Sequence, residues 1–422
     1  MAEKQNTPEI RFEGFTDPWE QRKLGDCVGS TYGGGTPSTS HDEYWGGNIP
    51  WIQSSNVLEN ELFRIDIPKA ITQDGLSKSA ALRVPGDSIA VVTHVGVGKL
   101  VYLPFPYATS QDFVSLSELK GDANFLCYAI HRKLQSELHM VQGSAIKGIT
   151  KEELLGKAIF LPAAEEQKLV GNQMRAIDNL ITLHQRKYDK LCTVKKSMLD
   201  KMFPKPGETE PEIRFEGFTD PWEQRKLGNC GTTYGGLTGK TKEDFGHGNA
   251  RFIPYTNVFD NPLTDTKRLG AVEIDSSQNQ VAYGDAFFTV SSETPDEVGM
   301  SSVWLSDQED VYLNSFCFGY RQDSTFDPHY LAYMLRSRSV RSNLTLLAQG
   351  ISRFNISKNK VMELSVPVPS AVEQEQLGQY FTKLDSLITL HQREPPHTMK
   401  EGKNANRYQW RIAFLRLLLA MD

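Results

Sequence analysis

The stretch PEIRFEGFTDPWEQRKLG, Pro8 to Gly25, occurs a second time as Pro211 to Gly228. Identity over a stretch this long does not arise from a shared secondary-structure propensity. Self-similarity at a long, fixed period is the sequence sign of repeated structural units. The second copy begins 203 residues after the first. The sequence therefore predicts two tandem copies of one unit.

A second repeated segment closes each copy. The segment LITLHQR at Leu180–Arg186 returns at Leu387–Arg393, 207 residues later. Between these anchors the copies diverge, although a thin common frame survives, for example Gln142-Gly143 and Gln349-Gly350. We therefore expect one scaffold that is used twice and presents two different surfaces.

Length and composition indicate a globular protein of two or three units. The 422 residues are 39% hydrophobic and 23% charged, and the mean hydropathy is -0.43. A domain usually takes roughly 100 to 200 residues. The N-terminus lacks the apolar core of a signal peptide, and the late apolar run Phe414–Met421 is shorter than the roughly 20 residues that span a bilayer. A cytoplasmic protein without a membrane anchor is expected.

Charge and cysteine usage exclude several classes of protein. The five cysteines are scattered singly, so neither a zinc site nor a disulfide framework is indicated. The net charge of -6 argues against a general electrostatic DNA binder, because neutralising phosphates usually requires a basic excess. Any basic surface is therefore local, or a partner supplies it.

Each unit is predicted to begin with a β-rich part and to continue with helices. Short strand-like runs separated by glycine and proline occur at Asn48–Val57, Asp87–Val92 and Asp285–Ser291. Helical spacing of apolar residues follows at Asn124–Leu138 and at Tyr330–Leu347.

The clearest helix of the chain is predicted over Glu165–Phe203, which contains no proline. A helix of that length reaches about 58 Å, and its apolar stripe requires a partner helix. The second copy repeats the start of the stripe, so an antiparallel coiled coil of the two helices is expected. The residues predicted to pair are Ile177, Leu180, Ile181, His184, Tyr188 and Leu191 in the first helix, with Leu384, Leu387, Ile388 and His391 in the second.

His184 and His391 hold equivalent positions of this stripe. Two roles remain open for them: a pH switch, and ordinary packing or hydrogen-bond contacts, which are the commoner role of a histidine in a helix seam.

Together these features resemble the specificity subunit of type I restriction-modification systems. The resemblance is carried by the paired RFEGFTDPWEQRKLG motifs, by the helices that run through EEQ…LITLHQR, and by the glycine-rich entry YGGGTPS…YWGGNIPWI. It spans Pro8 to Arg393, almost the whole chain. The fold that it implies is α+β, with two tandem pseudo-symmetric β-rich target recognition domains joined by two long helices packed as an antiparallel coiled coil.

The resemblance and the repeat together predict six segments. The first target recognition domain covers residues 1–160, and the first long helix, which acts as a spacer, covers 161–203. A linker follows at 204–210, the second target recognition domain covers 211–369, and the second helix covers 370–393. A divergent C-terminal tail occupies 394–422.

The family implies a function in which each domain reads one half of a split site in double-stranded DNA. The paired helices then act as a ruler for the unread spacer. Family members bind two modification subunits, which carry S-adenosylmethionine and methylate adenine, and two restriction subunits, which use ATP and magnesium. No catalytic residue, cofactor or metal site is expected on this chain, and the divergence of the two units predicts a non-palindromic site.

Two rival functions remain open: a repeat scaffold that joins protein partners without touching DNA, and a stand-alone DNA methyltransferase. The second requires an Asn/Asp-Pro-Pro-aromatic tetrapeptide. The nearest segment, Asn261-Pro262-Leu263, lacks the second proline and the aromatic residue.

Residues expected to contact DNA fall into two groups. The segment Leu335–Lys360 contains six basic residues and no acidic one, which predicts phosphate contacts, although a solvated helix face has the same pattern. Polar loop residues match the donors and acceptors at base edges. The predicted contacts are Thr36, Ser38, Tyr44, Trp45, Gln53, Ser54, Ser55 and Lys147 in the first unit, with Thr238, Lys240, Tyr255, Thr256, Arg336, Arg338, Arg341, Arg353, Asn355 and Lys358 in the second.

The second copy leaves the repeat after Arg393, where Pro395-Pro396 follows instead of the helical KYDKLCTVKKSMLDKMF. Proline in a helix interior removes a backbone hydrogen bond and clashes with the preceding turn, so the second helix is expected to end after about 23 residues. Part of the first helix's stripe then lacks a partner.

Grafting a copy of Lys187–Phe203 after Arg393 is expected to raise the melting temperature and the affinity for partner subunits, because the graft restores the missing stripe. Thermal unfolding and a partner-binding titration measure the two effects. An unchanged melting temperature and affinity would contradict the interpretation of the tail.

Overall fold

The computed structural model describes residues 8, 10–59, 61–140 and 148–392. The described residues up to Leu183 form one compact unit, and those from His184 onward form a second. Within these residues, no helix combines the length and the apolarity that crossing a bilayer requires. The predicted tail and Lys147 lie outside the described residues.

The first unit is a β-rich body with helices after it. Its strands are β1 (Glu20–Lys23), β2 (Ser30–Gly33), β3 (Trp45–Ile52), β4 (Ala70–Ile71), β5 (Ser88–Val92), β6 (Leu100–Leu103), β7 (Ala108–Thr109), β8 (Phe113–Ser117) and β9 (Ala158–Leu161). Its helices are α1 (Gln73–Ser77), α2 (Ala123–Met140), α3 (Lys151–Gly156) and the beginning of α4 (Ala164–Lys201).

The second unit follows the same plan. Its strands are β10 (Glu223–Lys226), β11 (Gly231–Gly235), β12 (Phe245–Ile253), β13 (Gly270–Val272), β14 (Ala286–Thr289), β15 (Ser291–Ser292), β16 (Ser301–Val303), β17 (Val311–Leu313), β18 (Cys317–Gln322), β19 (Phe354–Asn355) and β20 (Ser365–Val368). Its helices are α5 (Tyr255–Asp260), α6 (Pro328–Met334), α7 (Arg338–Leu346), α8 (Lys358–Met362) and α9 (Ala371–Gln392).

The two units share their sheet topology. An antiparallel sheet has the order β2-β8-β5-β6 in the first unit and β11-β18-β14-β16 in the second. A mixed sheet has the order β4-β3-β7 in one and β13-β12-β17 in the other, and in both the central strand pairs parallel with the later strand. The predicted pseudo-symmetric α+β fold is therefore confirmed.

The helix predicted across Tyr330–Leu347 is wrong in one respect, because it is two helices, α6 and α7. Ser337 separates them with an extended backbone, at φ -63° and ψ 153°. Its hydroxyl and its backbone nitrogen both donate to the carbonyl of Met334, at 2.7 and 3.0 Å, which pairs an acceptor at the end of α6.

The repeated motif ties the start of each unit to the start of its long helix. Arg214 donates from Nε and Nη2 to the two carboxylate oxygens of Glu373, at 2.7 and 2.9 Å. Arg11 makes the same bidentate contact with Glu166, at 2.7 and 2.8 Å. Both glutamates lie in the first turn of their helix, where the helix dipole favours negative charge. The carboxylate raises the pKa of the arginine in each pair.

The same motif also supplies a strand to each unit. The EQRK segments form β1 and β10, which pair with β9 and β20 in the same register. In each long helix, the residue after this buried glutamate is a glutamine. Gln374 in α9 accepts from the backbone nitrogen of Asp327 and donates to the carbonyl of Pro369. Gln167 in α4 accepts from the backbone nitrogen of Asp122 and donates to the carbonyl of Pro162. The repeated motif and the residues at the start of each long helix thus make equivalent contacts in both units.

The second half of α4 belongs to the second unit, where it packs antiparallel to α9. Nδ1 of His184 lies 2.9 Å from Nδ1 of His391, Lys195 pairs with Asp385, and the rings of Phe203 and Phe381 stack at 5.8 Å. Residue numbers therefore rise along one helix as they fall along the other, as predicted. Because one Nδ1 must donate and the other must accept, the contact cannot form between two charged rings. Burial lowers the pKa of His391, and the charge of Lys187 adds to the effect.

The predicted stripe residues differ in burial. Ile177, Leu384 and Ile388 are buried, and Leu191 packs against the core of the second unit. Leu180 is 44% exposed, because it lies about 60° around the helix from Ile177, at the border of the stripe. Ile181, Tyr188 and Leu387 are half-buried, and His184 is exposed apart from its contact with His391.

The end of the first repeat completes the core of the second. Met202 and Phe203 are 3% and 2% exposed. The ring of Phe203 contacts Trp222, Tyr330 and Phe381 at centroid distances of 5.8 to 6.2 Å. The second unit therefore depends on residues that precede its own motif.

Replacing Glu373 by Gln is expected to lower the free energy of unfolding by about 3 kcal/mol, because it leaves the guanidinium of Arg214 without its counter-charge in a buried place. Urea denaturation measures the change. Glu223→Gln is the matched control, since the Arg225–Glu223 pair is solvent-exposed on both sides and should have no resolvable effect. Equal losses for the two variants would show that burial of the pair is not what matters.

Candidate nucleic-acid interface

Polar loop segments of the first unit meet at one end of its sheets, which we call the loop edge. The edge consists of residues 53–55, 93–94 and 110–112. The backbone nitrogen of Ser110 donates to the carbonyl of Ile52 at 2.8 Å, and that of Thr93 to the carbonyl of Asp112 at 2.8 Å. Strand ends thus hold the three segments side by side.

The loop edge of the second unit is built by the same backbone bonds. It consists of residues 254–256, 290–293, 314–316 and 353–355. The nitrogen of Asn314 donates to the carbonyl of Ile253 at 3.2 Å, and that of Val290 to the carbonyl of Phe316 at 3.0 Å. Strand β19 joins this edge by pairing Asn355 with Ser291.

The loop edge of the second unit encloses an open cleft of about 470 Å³. The cleft walls combine aromatic rings, one guanidinium and two carboxylates. They are formed by Tyr255, Thr256, Phe259, Ser291, Ser292, Glu293, Glu297, Phe316 and Arg353. The hydroxyl of Tyr255 donates to the carbonyl of Ser291 at 2.9 Å, which fixes its ring. Four predicted contacts, Tyr255, Thr256, Arg353 and Asn355, are therefore brought together.

The loop edge of the first unit carries different groups. Asp112 accepts from the hydroxyl of Ser110 at 3.1 Å and from that of Ser54 at 3.5 Å. Gln53 donates to the hydroxyl of Ser55 at 2.9 Å. The edge is thus rich in hydroxyl, amide and carboxylate groups, which match the donors and acceptors at base edges. The predicted residues Gln53, Ser54 and Ser55 lie together here.

The glycine-rich segment contacts the loop edge of the first unit through Thr36, whose hydroxyl donates to Gln111 at 2.8 Å. Trp45 instead packs edge-on against Trp51 at 5.1 Å and donates to the carbonyl of Ser38. Tyr44 stacks on His41 at 4.8 Å. Ser38 itself is exposed, and Trp45 and Tyr44 are half-buried.

The equivalent residues of the second unit are held within the chain. Lys240 pairs with Asp275 at 2.7 Å, and this carboxylate raises the pKa of the lysine. The backbone nitrogen and hydroxyl of Thr238 both donate to Gln278. Lys240 would therefore have to leave an ion pair in order to contact a phosphate.

Two predicted phosphate contacts, Arg336 and Arg341, are bonded to backbone carbonyls within the second unit. Arg336 donates to the carbonyls of Ser301, Val258 and Phe259 at 2.7 to 2.9 Å. Arg341 donates to the carbonyls of Gly299, Asp296 and Val298 at 2.7 to 2.8 Å. Burial lowers the pKa of each guanidinium to about 10. These side chains fasten loops of the second unit, and each would have to leave these carbonyls in order to contact a phosphate.

The remaining basic residues of that segment reach solvent. Arg338 is exposed and lies 3.8 Å from Asp200, and Lys358 is exposed at the start of α8. Arg353 projects from the turn between Gln349 and Asn355, whose backbones bond to each other at 2.8 and 2.9 Å. Arg353 is thus the predicted cation that faces the cleft.

Sequence reasoning missed Phe316, Asp112 and Gln111. No motif marks them, and the available signal was positional, since each follows a short buried strand of the mixed sheet. Among the described residues, no group of three histidine, cysteine or acidic side chains is arranged to hold a metal ion.

Comparison with known proteins shows where these features recur. Residues 16–192 and 219–397 match the family model for the type I restriction modification DNA specificity domain. The MjaVIII specificity subunit of Methanocaldococcus jannaschii is 20% identical over 410 residues, covering 95% of this chain and 94% of the relative. The MjaIX specificity subunit of the same organism is 27% identical over 254 residues, and the match spans 57% of its length.

A solved structure shows a similar fold. The S subunit of a type I restriction-modification system from M. genitalium superposes with a TM-score of 0.51 at 13% identity. The match covers 92% of this chain and 94% of that subunit. At this identity the likeness concerns the fold alone.

Arg336→Met is expected to destabilise the protein by about 3 kcal/mol, because the buried carbonyls that it bonds lose their donor. Arg353→Met is expected to leave the unfolding free energy unchanged and to weaken binding to duplex DNA. Urea denaturation and a duplex-binding titration with partner subunits present separate the two roles. A stable Arg336 variant with weakened DNA binding would reverse the assignment.

Proposed function

The chain belongs to the type I restriction modification DNA specificity family, and from this premise we propose that it is the sequence-specificity subunit of a type I restriction-modification complex. In this role it binds a bipartite, asymmetric site in double-stranded DNA. It directs methyltransferase and restriction subunits to that site and catalyses no reaction itself.

One observation carries the proposal: the two units repeat one sheet topology, yet equivalent loop positions carry different side chains. Asp112 and Phe316 occupy the same place in the two loop edges, since their carbonyls accept from the equivalent nitrogens of Thr93 and Val290. A shared backbone topology with different side chains at the loop edges suits two domains that recognise different base sequences. A scaffold for two protein partners would not require polar, base-matching groups at both edges.

The paired helices supply the spacer in this proposal. Half of α4 packs antiparallel on α9 through His184, Lys195 and Phe203. Readers that belong to one molecule engage half-sites at a separation fixed by the protein. The length of helix then sets the number of unread base pairs, and the difference between the edges makes the site non-palindromic.

The partners follow from the family and from the charge of the chain. With a net charge of -6, the chain lacks the basic excess that phosphate binding usually requires. We therefore assign much of the phosphate contact to two modification subunits, which carry S-adenosylmethionine. Two restriction subunits use ATP and magnesium. The assembly acts in the cytoplasm, where its DNA substrate lies.

Exchanging residues 26–140 for the matching segment of a different specificity subunit is expected to change one half of the methylated site and to leave the other half and the spacer unchanged. Single-molecule methylation sequencing of DNA from cells that carry the subunit determines both halves of the site and the length of the spacer. Exchanging the equivalent segment of the second unit is the matched control and should change only the other half.

Changes in both halves after a single exchange would contradict separate readers. Purified chain that methylates DNA alone with S-adenosylmethionine would favour a stand-alone methyltransferase. A wild-type complex without sequence preference would favour the protein scaffold.

A further inference from the structure

The loop edges place two chemically opposite side chains at one structural position. This position is the third residue after the last strand of the mixed sheet, and it is Asp112 after β7 and Phe316 after β17. The carbonyl of Asp112 accepts from the backbone nitrogen of Thr93, and the carbonyl of Phe316 accepts from that of Val290. The next residue begins β8 and β18, which pair with β5 and β14. The two residues therefore hold equivalent positions in the backbone hydrogen-bond pattern, and their side chains differ in chemistry.

In the second unit, Phe316 exposes 63% of its surface on the wall of the cleft. Arg353 faces the same cleft, and Glu293 and Glu297 lie beside it. Two carboxylates repel phosphate oxygens, so the cleft suits base edges better than the DNA backbone. An exposed aromatic ring at such an edge offers an apolar surface to the methyl group of thymine, the one apolar group in the major groove.

In the first unit the same position carries a half-buried carboxylate. Asp112 is held by the hydroxyls of Ser110 and Ser54, which fix its direction and leave it with further acceptor capacity. A carboxylate only accepts hydrogen bonds, so guanine O6 and N7 would repel it. The amino groups of cytosine N4 and adenine N6 are the donors in the major groove that it matches.

We propose that Asp112 and Phe316 are equivalent specificity-determining residues that make the two half-sites different. Phe316 contacts a thymine methyl in the half-site of the second unit. Asp112 accepts from the amino group of a cytosine or adenine in the half-site of the first. The inference rests on the proposed function and adds to it which chemistry each unit reads.

Replacing thymine by uracil removes only the methyl group and therefore tests the contact of Phe316. Each thymine of the second half-site is replaced in turn in a duplex, and binding to the complex with its modification subunits is measured. At one position the wild-type complex is expected to lose about fourfold in affinity, the change that corresponds to one buried methyl group. The Phe316→Ala complex should bind the thymine and uracil duplexes equally.

Phe160→Ala is the matched control, because Phe160 is also exposed, at 41%, but lies in β9 of the first unit and belongs to neither loop edge. This variant should keep the fourfold discrimination. A variant that folds and binds the other duplexes normally excludes misfolding as the cause.

Asp112→Asn tests the first unit with a side chain of the same shape. The amide can both donate and accept hydrogen bonds. Methylation sequencing should therefore show that one position of the first half-site also tolerates bases that present a hydrogen-bond acceptor. Discrimination at that position is expected to fall by about tenfold, within the range of one lost base contact. The second half-site should be unchanged.

The results separate this inference from the function on which it rests. A wild-type complex without a split recognition site overturns both. The role of Phe316 is overturned if the complex reads a split site whose second half contains no thymine, or if it tolerates uracil at every thymine of that half. An unchanged first half-site in the Asp112→Asn complex overturns the role of Asp112.

Discussion

The bidentate arginine–glutamate pair at the start of each long helix is the contact on which the rest of each unit depends. Glu166 and Glu373 are buried at helix starts, and a buried carboxylate without a counter-charge is strongly unfavourable. Arg11 and Arg214 supply that charge from the first residues of the repeated motif. The pair therefore fixes where the chain enters the unit and where the helix leaves it, and the β-rich body is folded between these two points.

The division of α4 between the units has an energetic consequence. Residues from His184 to Phe203 pack on α9 and on the core that contains Trp222 and Tyr330, so the second unit is incomplete without the end of the first repeat. The boundary between the two compact units therefore does not coincide with the end of the first repeat. A boundary drawn at the end of the helix, as the sequence suggested, separates Phe203 from the core that it fills.

The sequence predicted the scaffold well because the scaffold is written in local and repeated patterns. The long helix follows from its stripe and lack of proline, and the doubled topology follows from the identical motifs. The roles of Arg336 and Arg341 could not be predicted, because the carbonyls that they bond lie 35 to 78 residues away. The position of Phe316 in a cleft likewise depends on how β17 and β19 are brought together by the fold, which no short motif encodes.

The distribution of identical and different residues explains how one fold can serve two recognition tasks. Identical side chains, such as the pairs Arg11/Arg214 and Gln167/Gln374, make buried contacts beside the helices, where any change exposes an unpaired charge or carbonyl. Backbone bonds join the strand ends at the loop edges, so the side chain of a residue such as Asp112 or Phe316 can be exchanged without breaking them. A surface supported by backbone bonds is therefore free to diverge, and the difference between Asp112 and Phe316 follows from that freedom.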